Sequence, residues 1–207
     1  FVCAGDEVIM FDPSYDSYDP SVRLNGGIPV HINMTSSFRI NWNEVEARIT
    51  PATKMIIINS PHNPSGAILY EDDLRTLERL AVKYDLFVLS DEVYERLIFD
   101  GSIHQSVLRF PALAARSFAV FSFGKTFHTT GWKIGYVMAP ENLMSEFRKV
   151  HQFVVFCVNT PIQYAMAEFL KNKANYENLG EFYQQKRDAF VNLIKGSRFK
   201  IIPSYGT

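Results

Sequence analysis

Short runs that are apolar on both faces, separated by longer amphipathic stretches, constrain this chain more than any other feature. Met55-Ile56-Ile57-Ile58 and Phe87-Val88-Leu89 leave no side of a strand free for water. A strand of that kind must be covered above and below, as in the middle of a parallel sheet. The pattern predicts strands over Glu7–Phe11, Ile28–Ile32, Met55–Asn59, Leu86–Ser90, Phe118–Ser122 and Trp132–Met138. Between them, Glu71–Lys83 carries Leu74, Leu77, Leu80 and Ala81 at helical spacing, with Glu71, Asp72 and Asp73 in the first turn, where the helix dipole favours anions. Asn41 reads as the cap of a helix that runs to Ile49 and is stopped by Pro51. After Pro140 the pattern turns helical over 141–156, 160–171 and 175–194. Alternating strands and helices give an α/β fold, a doubly wound sheet with helices on both faces.

The 207 residues, 47% of them hydrophobic, suffice for one large domain and part of a second. A net charge of −1 gives no electrostatic case for nucleic acid or for an anionic membrane surface as a partner. No apolar run approaches the ~20 residues that span a bilayer. The two cysteines, Cys3 and Cys157, form no CxxC motif, which argues against a disulfide scaffold or structural zinc. A reducing cytoplasm is the expected location. The chain opens on Phe1 and runs at once into a strand, and it closes on the turn Tyr205-Gly206-Thr207 after the apolar run Phe199–Ile202. On that basis it reads as an internal piece of a longer enzyme.

Chemistry-bearing residues collect where strands end. After the strand at 118–122 comes Ser122-Phe123-Gly124-Lys125, and a second cation, Lys133, stands between Gly131 and Gly135. The rim at the carboxyl ends of an α/β sheet is where ligands bind. A lysine after a strand is ordinarily a solvated side chain. The loop Asn59-Ser60-Pro61-His62-Asn63-Pro64-Ser65-Gly66 brings Asn63 to the same rim, and by itself also reads as a plain turn. Asp91, in Ser90-Asp91-Glu92-Val93-Tyr94, can hold a metal, a ribose or a ring nitrogen, or can simply cap a helix. Glu92 and Glu95 read as solvent-facing or salt-bridged. Tyr15 and Tyr18, after the first strand, can cover a flat ring or pack as core aromatics.

Taken together, Asn63-Pro64-Ser65-Gly66, Asp91-Glu92-Val93-Tyr94, Ser122-Phe123-Gly124-Lys125 and Gly131-Trp132-Lys133 resemble the class I/II (fold type I) pyridoxal-phosphate (PLP) aminotransferases over essentially the whole chain. The likeness is greatest to the bacterial methionine and kynurenine/glutamine transaminase types. The resemblance implies a mostly parallel PLP-transferase large domain whose first strand lies upstream, with the strand Trp132–Met138 antiparallel and a cis Asn63-Pro64 bond. It divides the chain into a PLP-binding part, 1–174, and a connecting long helix with the first strand of a small domain, 175–207. It implies that Lys125 carries the Schiff base to PLP and acts as general base. Asp91 would hold the pyridine nitrogen, Tyr94 and Asn63 the phenolate oxygen, and Ser122 and Lys133 the phosphate, while Tyr15 stacks on the ring. Many members have Arg where Lys133 stands. Amino acids and 2-oxo acids are the implied substrates, the side chain apolar or aromatic as in methionine. A homodimer is implied for the full-length protein, with an interface near Asn159 and Thr160, and inactivity for the piece alone. Two other readings remain open: a PLP-dependent C–S β-lyase, and an aminotransferase-like ligand-binding domain of a transcriptional regulator.

Overall fold

The central apolar runs take up extended structure because their alternate side chains find cover on opposite faces of one sheet. In a computed structural model that describes residues 1–207, the strands are β1 (Glu7–Asp12), β2 (Ile28–Asn33), β3 (Thr53–Asn59), β4 (Phe87–Asp91), β5 (Ser117–Ser122) and β6 (Gly135–Met138). They form one sheet in the order β2-β1-β3-β4-β5-β6, parallel except for the antiparallel β5–β6 pair. The helices are α1 (Tyr18–Leu24), α2 (Trp42–Arg48), α3 (Glu71–Lys83), α4 (Pro111–Ala114), α5 (Phe123–Thr126), α6 (Glu141–Val154), α7 (Thr160–Phe169) and α8 (Leu179–Ile194).

The two sheet faces separate by the period-two rule. Ile9, Phe11, Ile56, Ile58 and Val88 pack with Leu74, Leu77, Leu80 and Ala81 of α3 in the main core. Val8, Met10, Met55 and Ile57 point the other way and meet Val22 of α1. The helix over 71–83 appears at the expected bounds, and Asp73 has a particular use in its first turn. Its carboxylate accepts from Tyr70 N (2.8 Å), Trp42 Nε1 (2.9 Å) and Arg39 Nη2 (2.8 Å), so one buried anion joins α2 and α3. Asn41 caps α2 through its side chain, as its position suggested.

The structure revises several expected boundaries. The last strand begins at Gly135 rather than Trp132, because Thr130–Trp132 forms a 3-10 turn that ends with Lys133 in the left-handed region, φ 53°. The long helix starts at Leu179 rather than Asn175; Lys173–Asn175 is a separate 3-10 turn. Phe199–Ile202 is not a strand: an extended segment becomes one only where a neighbour takes its N–H and C=O groups, and this run meets none and is largely exposed. The following turn instead crosses back over the Asn63 loop, with Tyr205 N and Gly206 N both donating to Gly66 O (2.8 and 3.0 Å). Three short helices, α1, α4 and α5, lie in stretches too short to show a period. Asn63-Pro64 is cis, as are Asp12-Pro13 and Ser60-Pro61. No helix is long and apolar enough to cross a membrane.

Leu77 is fully buried in the main core, so Leu77→Ala should cost about 2–5 kcal/mol in urea unfolding, whereas Val82→Ala on the outer side of the same helix should cost under about 1 kcal/mol.

Candidate active site

The connection from β1 to β2 leads to one side of β1 and the next connection returns to the other, so the strand order switches between β1 and β3. In open α/β sheets the crevice beyond the carboxyl ends at such a point is the usual ligand site. A cavity of about 160 Å³ lies there, lined from four strand ends: Tyr15 after β1, Asn59 and Asn63 at β3, Asp91, Val93 and Tyr94 at β4, Ser122 and Lys125 at β5.

Register produces this convergence. Asn59 pairs with Asp91 and Asp91 with Val120, so three parallel strands end almost level. The β3 loop is then tied to the β4 end by Asn59. Its amide donates to Asp91 O (2.9 Å) and its carbonyl accepts from Asn63 N (2.7 Å). Asn59 was not singled out from sequence; the available signal was a polar residue closing an otherwise apolar run, and it is 8% exposed. Ser122 caps α5 by accepting from Lys125 N (3.3 Å), which turns the chain sharply beyond β5. The turn also needs Gly124, since a Cβ there would lie 3.0 Å from Thr130 Cα. Lys125 Nζ lies 5.8 Å from the centre of the Tyr94 ring. Tyr15 is partly exposed and meets Tyr18 edge to face at 5.5 Å.

Six of the seven residues expected from sequence thus share one cavity. Lys133 is the exception: it is exposed and does not line the wall. Its loop is nevertheless stitched to the Ser122–Lys125 turn, through Gly124 N to Ile134 O (3.4 Å) and through Thr129 N and Thr130 Oγ1 to Gly124 O (3.0 and 3.2 Å).

Burial raises the Asp91 carboxyl above the ordinary carboxylate range, and the neighbouring Glu92 adds to the shift. Tyr18, Val93 N and the Lys125 charge oppose it. Glu92 does not face solvent. It is 1% exposed, turned into the interior, where Ser90 Oγ and Val107 N donate to Oε1 (2.8 and 3.1 Å) and His104 Nε2 lies 2.7 Å from Oε2. Of the two expectations for it, the paired one describes its surroundings. Glu95 lies 3.6 Å from Arg96, and burial raises its carboxyl.

The donor set suits PLP. A buried carboxylate whose anionic form is opposed by burial favours a cation against it, an amine stands within the same cavity, and an amide, a phenol and a hydroxyl offer neutral donors around the rim. No group of His, Cys, Asp and Glu side chains is arranged to hold a metal ion.

Sequence comparison agrees with this chemistry. The profile of the family "Aminotransferase class I and II" matches residues 1–207, and the chain belongs to that family, whose members use PLP. It is 47% identical over 205 residues to the methionine aminotransferase of Escherichia coli (strain K12), covering 98% of this chain and 53% of that protein. It is 34% identical over 222 residues to kynurenine–oxoglutarate transaminase 3 of Homo sapiens, covering 98% of this chain and 49% of that protein. Among solved structures, an Escherichia coli methionine aminotransferase superposes with a TM-score of 0.96 at 47% identity, over 100% of this chain and 55% of that one. The N-succinyldiaminopimelate aminotransferase of Mycobacterium tuberculosis does so with 0.95 at 34% identity, over 100% and 55%. The chain therefore spans about half the length of these relatives. The mostly parallel six-stranded sheet is the sheet of PLP-transferase aminotransferases.

Beside the cavity, His62 is 5% exposed and hydrogen-bonds Ser65 Oγ through Nδ1 (2.7 Å). Burial lowers its pKa from 6.5 to about 4. The unfolded chain therefore takes up this proton near 6.5 while the folded chain resists until about 4, so stability is present above 6.5 and lost as pH falls between those values. The loss should reach roughly 3 kcal/mol, read from urea unfolding between pH 7 and 4, and His62→Gln should flatten that slope whatever its absolute stability.

Proposed function

We propose that this chain carries the cofactor chemistry of a PLP-dependent aminotransferase acting on an apolar or aromatic amino acid such as methionine, with a 2-oxo acid as co-substrate. The observation behind this reading is the convergence of Lys125, Asp91, Asn63, Tyr94, Ser122 and Tyr15 on one cavity at the strand-order switch. PLP bound there would supply an electron sink for the charge left when a substrate Cα–H bond breaks.

The chain's own residues have separate tasks. Lys125 Nζ is the amine that would hold the cofactor's aldehyde, and as a free amine it would serve as the base that takes the proton from the substrate Cα. Asp91 would sit against the ring nitrogen and favour its protonated form, since a nearby opposite charge stabilises a cation. Tyr94 and Asn63 would donate hydrogen bonds to the ring's phenolate oxygen. Tyr15 would cover the ring, and its partly exposed position suits a residue that acquires a partner on binding. Ser122 and Lys133 would take the phosphate, Lys133 as a point charge without the fork of an arginine. The stitching of the Lys133 loop to the Ser122–Lys125 turn supports that last assignment.

Methionine as the preferred substrate type rests on the 47% identical relative and on aromatic residues near the cavity, a weak selector because a pocket distinguishes one methylene by about 1–3 kcal/mol. The relatives described above are named as transaminases, which favours transamination over C–S lysis or a regulator's ligand-binding role. Residues 1–174 form the cofactor-binding part, and 175–207 lead toward a second domain. The working protein is a homodimer, a reading supported by exposed Phe153, Val154, Phe156 and Tyr164 around Asn159 and Thr160. A reducing cytoplasm suits the two free, exposed cysteines.

In the full-length protein, Lys125→Ala should abolish transamination of methionine while circular dichroism stays unchanged. Wild-type turnover in that variant would remove Lys125 from the mechanism. Lys133→Ala should raise the PLP dissociation constant about tenfold or more, measured by equilibrium dialysis, and an unchanged constant would take Lys133 out of the phosphate site.

A further inference from the structure

Asp91 has a partner that the reading above does not use. Tyr18 Oη donates to Asp91 Oδ2 at 2.5 Å, a length typical of hydrogen bonds to an ionised oxygen, and Val93 N donates to Oδ1 at 3.2 Å. The two donors together fix the plane of the carboxylate. Tyr18 does not line the cofactor cavity; it lines the neighbouring apolar one, with Phe11, Asn59 and His62. The start of α1, which carries Tyr18, is itself held. His31 bridges β2 to it, with Nε2 2.9 Å from Asp19 Oδ2 and Nδ1 2.9 Å from Asp12 Oδ2.

We propose that Tyr18 is a positioning residue of this site: its hydroxyl holds Asp91 Oδ2 in place and keeps the carboxylate anionic, so that Asp91 can accept a cationic heteroaromatic N–H, the cofactor's pyridinium. Burial alone drives Asp91 toward its neutral acid, which holds a pyridinium poorly. A phenol that donates to the anion works against this without adding a charge or occupying the cavity. Tyr18 suits the task because burial and the Asp91 charge both raise its own pKa, so it stays a donor throughout the working range. The other titratable groups whose charge reaches the pair are Glu92, turned into the interior on the same segment, Lys125 from the β5 end, and Tyr15 and Tyr94. None of these replaces the missing donor: Glu92 has the wrong sign, and Lys125 is committed to the cofactor.

The inference rests on Asp91 being the ring-nitrogen partner, and its test separates the two claims. In the full-length protein freed of cofactor, the Asp91 carboxyl is titrated by carbon NMR. Tyr18→Phe should raise its midpoint by about one to two pH units, the worth of one hydrogen bond to a charged acceptor. The pH profile of the PLP dissociation constant, from equilibrium dialysis, should move by the same amount. An unmoved midpoint in a folded Tyr18→Phe chain overturns the coupling. Should that variant fail to fold, 3,5-difluorotyrosine at position 18 decides, since a more acidic donor should lower the midpoint and an unmoved one again overturns the coupling. Failure of the cofactor reading appears elsewhere, as an Asp91→Asn chain that binds PLP as tightly as wild type, and that result overturns the purpose proposed for Tyr18.

Discussion

Level parallel pairing of β3, β4 and β5 is the constraint on which the rest of the site depends. Asn59, Asp91 and Val120 stand side by side, so the chain leaves three adjacent strands at nearly one height and must turn there. Each turn then presents polar side chains into a shared space: Asn63 from the first, Asp91 and Tyr94 from the second, Ser122 and Lys125 from the third. Because side chains alternate along a strand, a slip of one residue in β4 would put Ser90 or Glu92 where Asp91 stands. The packing opposes such a slip, since it would carry the fully buried Val88 and Ser90 to the opposite face, where Phe87 and Leu89 are half-buried. Packing far from the cavity thus sets its chemistry.

The same alternation separates two adjacent acids. Asp91 faces the cavity with its oxygens held by Tyr18 and Val93 N, while Glu92 faces the interior and is consumed by Ser90, His104 and Val107. Burying two carboxylates in succession is costly unless each has donors. The structure meets that cost in two ways. Glu92 is given three partners and becomes an anchor for the loop that runs from 93 to 107. Asp91 is left with an incomplete set and burial pressing on its charge, which is the condition that favours an incoming cation.

Much of this was legible in the sequence. The sheet strands announced themselves as apolar runs, and Asn63, Asp91, Tyr94, Ser122 and Lys125 drew attention because each follows such a run. What escaped was carried by contacts between residues remote in sequence. Tyr18 reaches Asp91 across 73 positions, and nothing local distinguishes it from Tyr15. Asn59 looked like the polar end of a strand, and only the neighbouring β4 makes it a brace. Lys133 shows the converse: its motif suggested a place in the wall, but a left-handed turn leaves it exposed outside the wall. Phe199–Ile202 had the composition of a strand and lacks the neighbouring strand that would make it one.

Hydrophobic periodicity is a local property, and it determined the strands, the helix at 71–83 and the loops in which functional residues sit. Side-chain roles at a site are set by the distances between loops, which depend on strand order and register. The sequence therefore named the groups able to hold a cofactor, while the tertiary structure decided which of them share a cavity, that Asn59 and Tyr18 brace them, and that Glu92 belongs to the core. The physical reason is that hydrogen bonds act over about 3 Å, and only the folded sheet brings Tyr18 and Asn59 within that range of Asp91.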